Sequence, residues 1–147
     1  MTGTVAAAVA QANQELYAAF ESADLDRMSA LWVDAPWADT ATCVHPGWPP
    51  VRGRGAVLRS WAVIMANTAY IQFVLTDVAV EVAGEVAVVT CTENLLTGVD
   101  ERLGGGRVVA TNVFRRTPVG WRLWVHHGSP VLAPQGEGAG PTGGGPG

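Results

Sequence analysis

The side chain best suited to proton chemistry is the imidazole of His45, which lies in the stretch CVHPGWPP at residues 43–50. A neutral imidazole with an ordinary pKa of about 6.5 can take up and return a proton close to neutral pH. Two interpretations are open: His45 acts in a pocket, or it ends a strand and satisfies backbone groups of the following turn. Trp48 has two interpretations as well, either as an aromatic lid over a pocket or as packing beneath the Pro49–Pro50 turn.

A polar stripe runs through a strand-like segment that is otherwise apolar. Strand alternation places Thr90, Thr92 and Asn94 on one face, and we expect Glu93, on the opposite parity, at a dimer face or exposed. Buried polar groups need partners, so the stripe favours a ligand, waters or a mutual network. In the plainer alternative, Thr92 and Asn112 pair with each other and bind nothing else.

Other kinds of chemistry have little support. The sequence contains no GxGxxG motif between a predicted strand and a predicted helix, no P-loop and no GxSxG motif. We assign glycines 104–106 to a hairpin loop, not to a strand-to-helix turn, and so expect no phosphate site there. The three histidines have no adjacent carboxylates, so we expect no metal site and no cofactor.

Composition limits the classes of protein that this chain can belong to. The 147 residues are 48% hydrophobic, enough for one core without structural metals or disulfides. A net charge of −4 argues against nucleic-acid and anionic-membrane partners. The N-terminus lacks a basic region, and no apolar run approaches the ~20 residues of a membrane span, so a cytoplasmic protein is expected. Cys43 and Cys91 resemble small buried apolar residues, although a disulfide between them stays open.

The chain divides into a folded domain at 1–132 and a tail at 133–147. Ten of the fifteen tail residues are Gly or Pro, and none is large and apolar. Such a segment buries too little surface to offset its ordering entropy, so we predict that the tail is disordered.

Hydrophobic periodicity predicts helices first and strands afterwards. Asp24 is a suitable N-cap, and a change of parity at Thr76–Asp77 predicts a β-bulge. A tight hairpin is expected at Gly84–Glu85. The predicted helices span 5–23, about 25–32 and 55–66, and the predicted strands span 41–45, 70–82, 86–96, 107–116 and 121–129.

Separate runs of helices and strands indicate an α+β fold, with a curved antiparallel sheet and helices on one face. Several strands are apolar on both parities, so the outer face of the sheet must also be covered. A homodimer through that face is the economical explanation. Four tryptophans are expected mainly in the core, where they would give any pocket a broad apolar wall; these are Trp32, Trp61, Trp121 and Trp124.

This order of elements resembles the nuclear transport factor 2-like superfamily, also called SnoaL-like or ketosteroid isomerase-like. The resemblance covers about residues 5–132. It is carried by LDRMSALW, CVHP, RGRGAVLRSW, RVVATNVFRRTPVGW and the W-x-x-x-x-H-H-x-S ending. It implies a cone-shaped curved antiparallel sheet wrapped around three N-terminal helices, with a small ligand or an active site inside the cone.

The resemblance also implies roles for individual residues. His45 falls where the isomerases carry their proton-shuttling carboxylate, and Tyr17 falls on the helix that carries their phenol donor. His127 matches the histidine of the H-x-S ending, which tends to point inward in relatives, so that His126 would face outward. Asn112 lies near the place of a pocket arginine in the association domain of calcium/calmodulin-dependent kinase.

Two function classes follow from these residues. The first is a homodimeric protein that binds a small apolar molecule and catalyses isomerisation, cyclisation or dehydration, with His45 as the base and Tyr17 or His127 as the donor. Ligand-binding residues would be Trp32, Trp48, Trp61, Thr92, Asn94 and Asn112. The second class is a non-catalytic binding or oligomerisation module with the same pocket.

Overall fold

Capping residues set the limits of the first helix. In the computed structural model of the chain, which describes residues 4–99 and 102–132, helix α1 spans Val5–Glu21 and Thr4 caps it by accepting from Ala7 N–H. Its C-terminus is a Schellman motif, in which Ala23 and Asp24 donate backbone hydrogen bonds back into the last turn. Ala23 has the positive φ of 53° that such an ending requires.

Asp24 then caps the second helix, as predicted, by accepting from the backbone N–H of Arg27. The remaining elements of the first half are helix α2 (Leu25–Leu31), a 3-10 turn (Ala38–Thr40), strands β1 (Thr42–Val44) and β2 (Val51–Arg52), and helix α3 (Arg54–Ala66).

Four long strands complete the chain: β3 (Ile71–Ala83), β4 (Val86–Val99), β5 (Arg102–Thr117) and β6 (Gly120–Pro130). The sheet order is β2-β1-β6-β5-β4-β3. Every pair of neighbouring strands is antiparallel except β1 and β6, which are parallel. The α+β class and the curved sheet around three helices are therefore confirmed, with one parallel pair added.

The assignment of glycines 104–106 to a loop is wrong. They lie inside β5, and Gly105 pairs with Leu96 of β4. A Cβ on Gly105 would meet the backbone oxygen of Leu95 at 2.9 Å, so this close approach of the strands requires glycine.

Two β-bulges shape the sheet. The predicted bulge in β3 lies between Thr76 and Ala79, and Asp77 adopts a φ of 54° there. A second bulge, which the sequence analysis did not predict, lies in β6: Val113 pairs with Val125, but Phe114 pairs with Leu123. One extra residue, Trp124, thus reverses the alternation of side chains along β6.

The core fills the space between the helices and the concave face of the sheet. It contains the buried Trp32 and Trp61, and both cysteines are buried and free. No helix in the described ranges is long and apolar enough to cross a membrane. The predicted tail at 133–147 lies outside the described residues.

Candidate functional site

A cavity of about 150 Å³ lies between α1, α3 and the concave face of the sheet. Its wall is mostly aromatic and aliphatic, and its titratable side chains are two histidines, one tyrosine and one glutamate. It is lined by Leu16, Tyr17, Phe20, His45, Pro46, Trp61, Ile64, Ile71, Phe73, Glu93, Leu95, Val108 and His126.

A tyrosine–glutamate pair forms the polar centre of this cavity. The hydroxyl of Tyr17 donates to Oε2 of Glu93 across 2.6 Å, and both residues are buried. Tyr17 comes from α1, where Leu16 and Ala19 are buried beside it, and its ring packs on Phe73 at 5.0 Å between centroids. The helix therefore aims the phenol at β4, and the strand supplies the carboxyl.

Burial perturbs the protonation of both partners. The apolar surroundings raise the pKa of Glu93 from 4.5 to about 7, although the hydrogen bond from Tyr17 opposes the rise. Burial and the neighbouring Glu93 also raise the pKa of Tyr17 well above its ordinary value, so the phenol keeps its proton. Glu93 is thus a carboxyl that can gain or lose a proton close to neutral pH.

An amide holds this pair in place. Nδ2 of Asn112 donates to Oδ1 of Asn13 at 2.8 Å and to the hydroxyl oxygen of Tyr17 at 3.2 Å. Oδ1 of Asn112 accepts from Nδ1 of His126 at 2.5 Å. Asn112 is fully buried and does not line the cavity. It was predicted to orient a ligand, but the structure places it behind the cavity wall.

The predicted site residue His45 does line the cavity. Nε2 of His45 lies 2.9 Å from Oγ of Ser60, and the single hydroxyl proton of Ser60 is donated to the carbonyl of Val57 at 2.6 Å. Nε2 must therefore carry the proton, which leaves Nδ1 as an acceptor. Burial lowers the pKa of His45 to about 4, so the ring is neutral at pH 7.

The expected orientation of the two adjacent histidines is wrong. His126 lines the cavity and is only 4% exposed, whereas His127 lies on the outer face of the sheet. The bulge at Trp124 is the cause, because it shifts the alternation by one residue between Trp121 and the histidines. Burial lowers the pKa of His126 to about 3, and the charge of His45 adds to the effect.

The parity expected for β4 is also reversed. Ala87, Val89 and Cys91 are buried in the core, which places Glu93 on the inner face with them. Thr92 and Asn94 point away from the cavity, and Nδ2 of Asn94 donates to the carbonyl of Val74 and to Oγ1 of Thr76 on β3. Neither residue can contact a ligand in the cavity.

The three tryptophans expected at the pocket have different positions. Trp61 lines the cavity, with its ring 4.8 Å from that of His45. Trp48 packs edge-on against the same imidazole at 4.9 Å but is 38% exposed and outside the lining. Trp32 belongs to the core and lines a separate groove between α2 and the β5–β6 turn.

Two larger grooves lie outside the cavity and lack its buried acid. One, of about 480 Å³, follows α1 and α2, where Arg27 and Glu15 form an exposed ion pair. The other, of about 510 Å³, is the groove beside Trp32. Within the described residues, no group of three His, Cys, Asp or Glu side chains could hold a metal ion. We therefore take the smaller cavity as the candidate active site.

Comparison with known families agrees with this architecture. A family model for the SnoaL-like domain matches residues 9–134, so the chain belongs to the SnoaL-like family, within the nuclear transport factor 2-like (NTF2-like) superfamily. No curated protein matches the chain.

Solved structures give two kinds of neighbour. A candidate dehydratase of the NTF2-like family from Streptomyces avermitilis is 53% identical, with a TM-score of 0.82 over 88% of this chain and 97% of that chain. A candidate calcium/calmodulin-dependent protein kinase type II association domain from Thiobacillus denitrificans is 33% identical, with a TM-score of 0.73 over 82% of this chain and 93% of that one. The CaMKII hub of S. rosetta, at 24% identity and a TM-score of 0.72 over 89% of this chain and 100% of that chain, shares the fold.

Proposed function

We propose that this SnoaL-like protein is a cofactor-independent proton-transfer enzyme that acts on a small, largely apolar molecule in the cavity. Glu93 would be the acid–base group. The observation that carries the proposal is the buried pair in which Tyr17 donates to Glu93 across 2.6 Å inside an apolar cavity. A carboxyl with a pKa of about 7 is matched to accepting and returning a proton at neutral pH.

The chemistry would begin at a carbon acid. Ionised Glu93 takes the proton from a carbon next to a carbonyl group, and the electron pair of that C–H bond moves into an enolate. Returning the proton to another carbon completes an isomerisation. Delivering it to a hydroxyl on the β carbon breaks that C–O bond, releases water and completes a dehydration. Dehydration gains support from the 53% identical candidate dehydratase.

His45, the base expected from the family resemblance, takes a different role in this proposal. Its pKa of about 4 makes it a weak base, and its Nε2 proton is already committed to Ser60. It would orient a hydroxyl group of the substrate by accepting a hydrogen bond at Nδ1. Tyr17 keeps its expected role as a donor, but it acts on Glu93 and tunes the acidity of that carboxyl.

The size of the cavity limits the substrate. An apolar cavity of about 150 Å³ can hold a molecule the size of benzene. We therefore propose a substrate with one ring or a short branched chain, and with one or two polar groups.

A homodimer through the outer sheet face is part of the proposal. That face exposes Val74, Leu96 and Val109, by 38–65% of their surface. The similar association domain from T. denitrificans supports assembly of this fold, and it also supports the rival function, a non-catalytic binding or oligomerisation module. Sedimentation of wild type and Val74→Lys should give a dimer and a monomer. A monomeric wild type would contradict this part of the proposal. The cytoplasmic location stays a prediction.

Two single-ring probes test the enzymatic function. They are 3-hydroxycyclohexanone, which would lose water, and 3-cyclohexenone, which would isomerise; both reactions yield the ultraviolet-absorbing 2-cyclohexenone. We expect the rate above the uncatalysed background to rise with pH through about 7, as Glu93 ionises. Glu93→Gln should lower kcat by about 10²–10⁴-fold, the usual contribution of a general base.

Glu81→Gln is the matched control, because Glu81 is exposed on β3 and the same change there should leave the rate unaltered. If wild type binds both probes without turning either over, the binding module is the better function. If Glu93→Gln is as active as wild type, Glu93 is not the base.

A further inference from the structure

The hydrogen bonds behind the cavity wall determine which nitrogen of His126 carries its proton. Both protons of the Asn112 amide are used, because Nδ2 donates to Asn13 and to Tyr17. Oδ1 of Asn112 can only accept, so the 2.5 Å contact requires a proton on Nδ1 of His126. In the neutral ring, Nε2 is then a bare acceptor, and it has no partner among residues 4–99 and 102–132.

Two more residues of the same wall have a weakly paired or an unpaired polar atom. His45 has its proton on Nε2, and its bare Nδ1 has only the thiol of Cys43 nearby, at 3.8 Å. The indole N–H of Trp61 is buried and has no hydrogen-bond partner among the described residues. The ring of Trp61 lies 5.8 Å from that of His126 and 4.8 Å from that of His45. Polar atoms without partners are costly in an apolar wall, so a cavity whose wall carries the open acceptor of His126 and the unpaired indole of Trp61 is suited to a ligand with a polar group.

We propose that the cavity selects ligands that carry a hydroxyl group, β-hydroxy carbonyl compounds included, over carbonyl compounds of the same size that lack one, with Nε2 of His126 accepting a hydrogen bond from the hydroxyl. Asn112 is the positioning residue, because it fixes the tautomer of His126 from behind the wall. The inference rests on the proposed function, since it requires that a small molecule binds in this cavity.

A hydroxyl group fits this set of atoms better than a carbonyl group does. It can donate to the bare imidazole nitrogen of His126, whereas a carbonyl can only accept. A bound ketone without a hydroxyl would offer no hydrogen bond to Nε2 of His126. Ionised Glu93 is a further acceptor, so selection should be sharpest above its pKa of about 7.

Cyclohexanol and cyclohexanone form a matched pair of probes, with the same ring and one difference in hydrogen-bonding character. We expect cyclohexanol to bind at least about tenfold more tightly at about pH 8.5, from the cost of an unpaired buried group. Chemical-shift titration of the Trp61 indole N–H and of backbone amides at the cavity gives both dissociation constants on the full chain.

His126→Phe keeps an aromatic ring but removes the acceptor, so it should weaken cyclohexanol about tenfold and leave cyclohexanone unchanged. His127→Phe, on the outer face, is the control and should change neither constant. If His126→Phe does not fold, the ¹⁵N spectrum of the wild-type histidines decides, because it must show a proton on Nδ1 of His126.

The outcomes distinguish the hydroxyl selectivity from the existence of the small-molecule site. Equal or tighter binding of cyclohexanone, or a proton on Nε2 of His126, overturns the selectivity and leaves the small-molecule site in place. Absence of binding by both probes overturns the selectivity and the ring-sized site together.

Discussion

The free energy of unfolding of Glu93→Gln, compared with wild type across pH, isolates the cost of ionising one buried carboxyl. Glutamine has the same shape and its amide oxygen can still accept from Tyr17, but it does not titrate. The pKa of Glu93 is raised from 4.5 to about 7, so the folded state holds this proton more tightly than the unfolded state does. Stability contributed by the protonated carboxyl is therefore fully present below pH 4.5 and is lost as pH rises through about 7.

The size of the effect follows from the two pKa values. At about 1.36 kcal/mol per pKa unit, a rise from 4.5 to about 7 corresponds to a loss of about 3 kcal/mol. Glu93 is only 5% exposed, so solvent screening removes little of this amount. We expect wild type to lose about 3 kcal/mol relative to Glu93→Gln between acidic pH and pH 8, and the difference to be flat outside that interval.

Urea denaturation at a series of pH values measures this difference directly. The pKa values of His45 and His126 are lowered to about 4 and 3, so the folded protein loses stability as pH falls below 6.5. That loss is common to both proteins and cancels in the difference. Glu81→Gln, the same change at an exposed position, is the control variant. If the difference in unfolding free energy between wild type and Glu93→Gln does not change with pH, the raised pKa of the buried Glu93 carboxyl is refuted.

Two other substitutions test separate features. Tyr17→Phe removes the hydrogen bond that lowers the pKa of Glu93. The pH at which the rate reaches half its maximum should therefore move above 7. An unchanged pH profile of the rate would contradict the pairing of Tyr17 with Glu93. Ala23→Gly should raise stability by about 0.5–1 kcal/mol in thermal or urea unfolding, because Ala23 has a φ of 53° at a helix end that favours glycine. Ala18→Gly, within the same helix, should lower the stability, and equal effects of the two substitutions would refute the assigned geometry.

The sequence predicted the parts of the fold that local chemistry determines. Asp24 was recognised as a cap because its short carboxyl suits that position, and the bulge near Asp77 was visible because the strand changes parity there. The cavity wall of His45, Tyr17 and Trp61 followed from the order of elements and the family resemblance.

The acid at the centre of the site was missed for a physical reason. β4 carries apolar residues on both parities, so its alternation does not show which face is buried, and the polar stripe was assigned to the wrong face. Glu93 would have been found by weighting Ala87, Val89 and Cys91 as the buried set. The sequence did indicate the buried face of β4, but only through small apolar residues.

The predicted orientations of His126 and His127 were interchanged for another reason. The bulge at Trp124 depends on how β6 pairs with β5, which is a long-range contact without a local sequence signal. Counting residues from Trp121 therefore gave the wrong face. A single inserted residue decides which histidine lines the cavity.

Direct titration of the glutamate carboxyls by ¹³C NMR tests the central claim, that Glu93 ionises near neutral pH beside Tyr17. The account predicts one carboxyl with a pKa of about 7 that is absent from the spectrum of Glu93→Gln. A Glu93 resonance that titrates at the ordinary value of 4.5 would contradict the account, because such a carboxyl would be hydrated and could not be the buried acid–base group of the cavity.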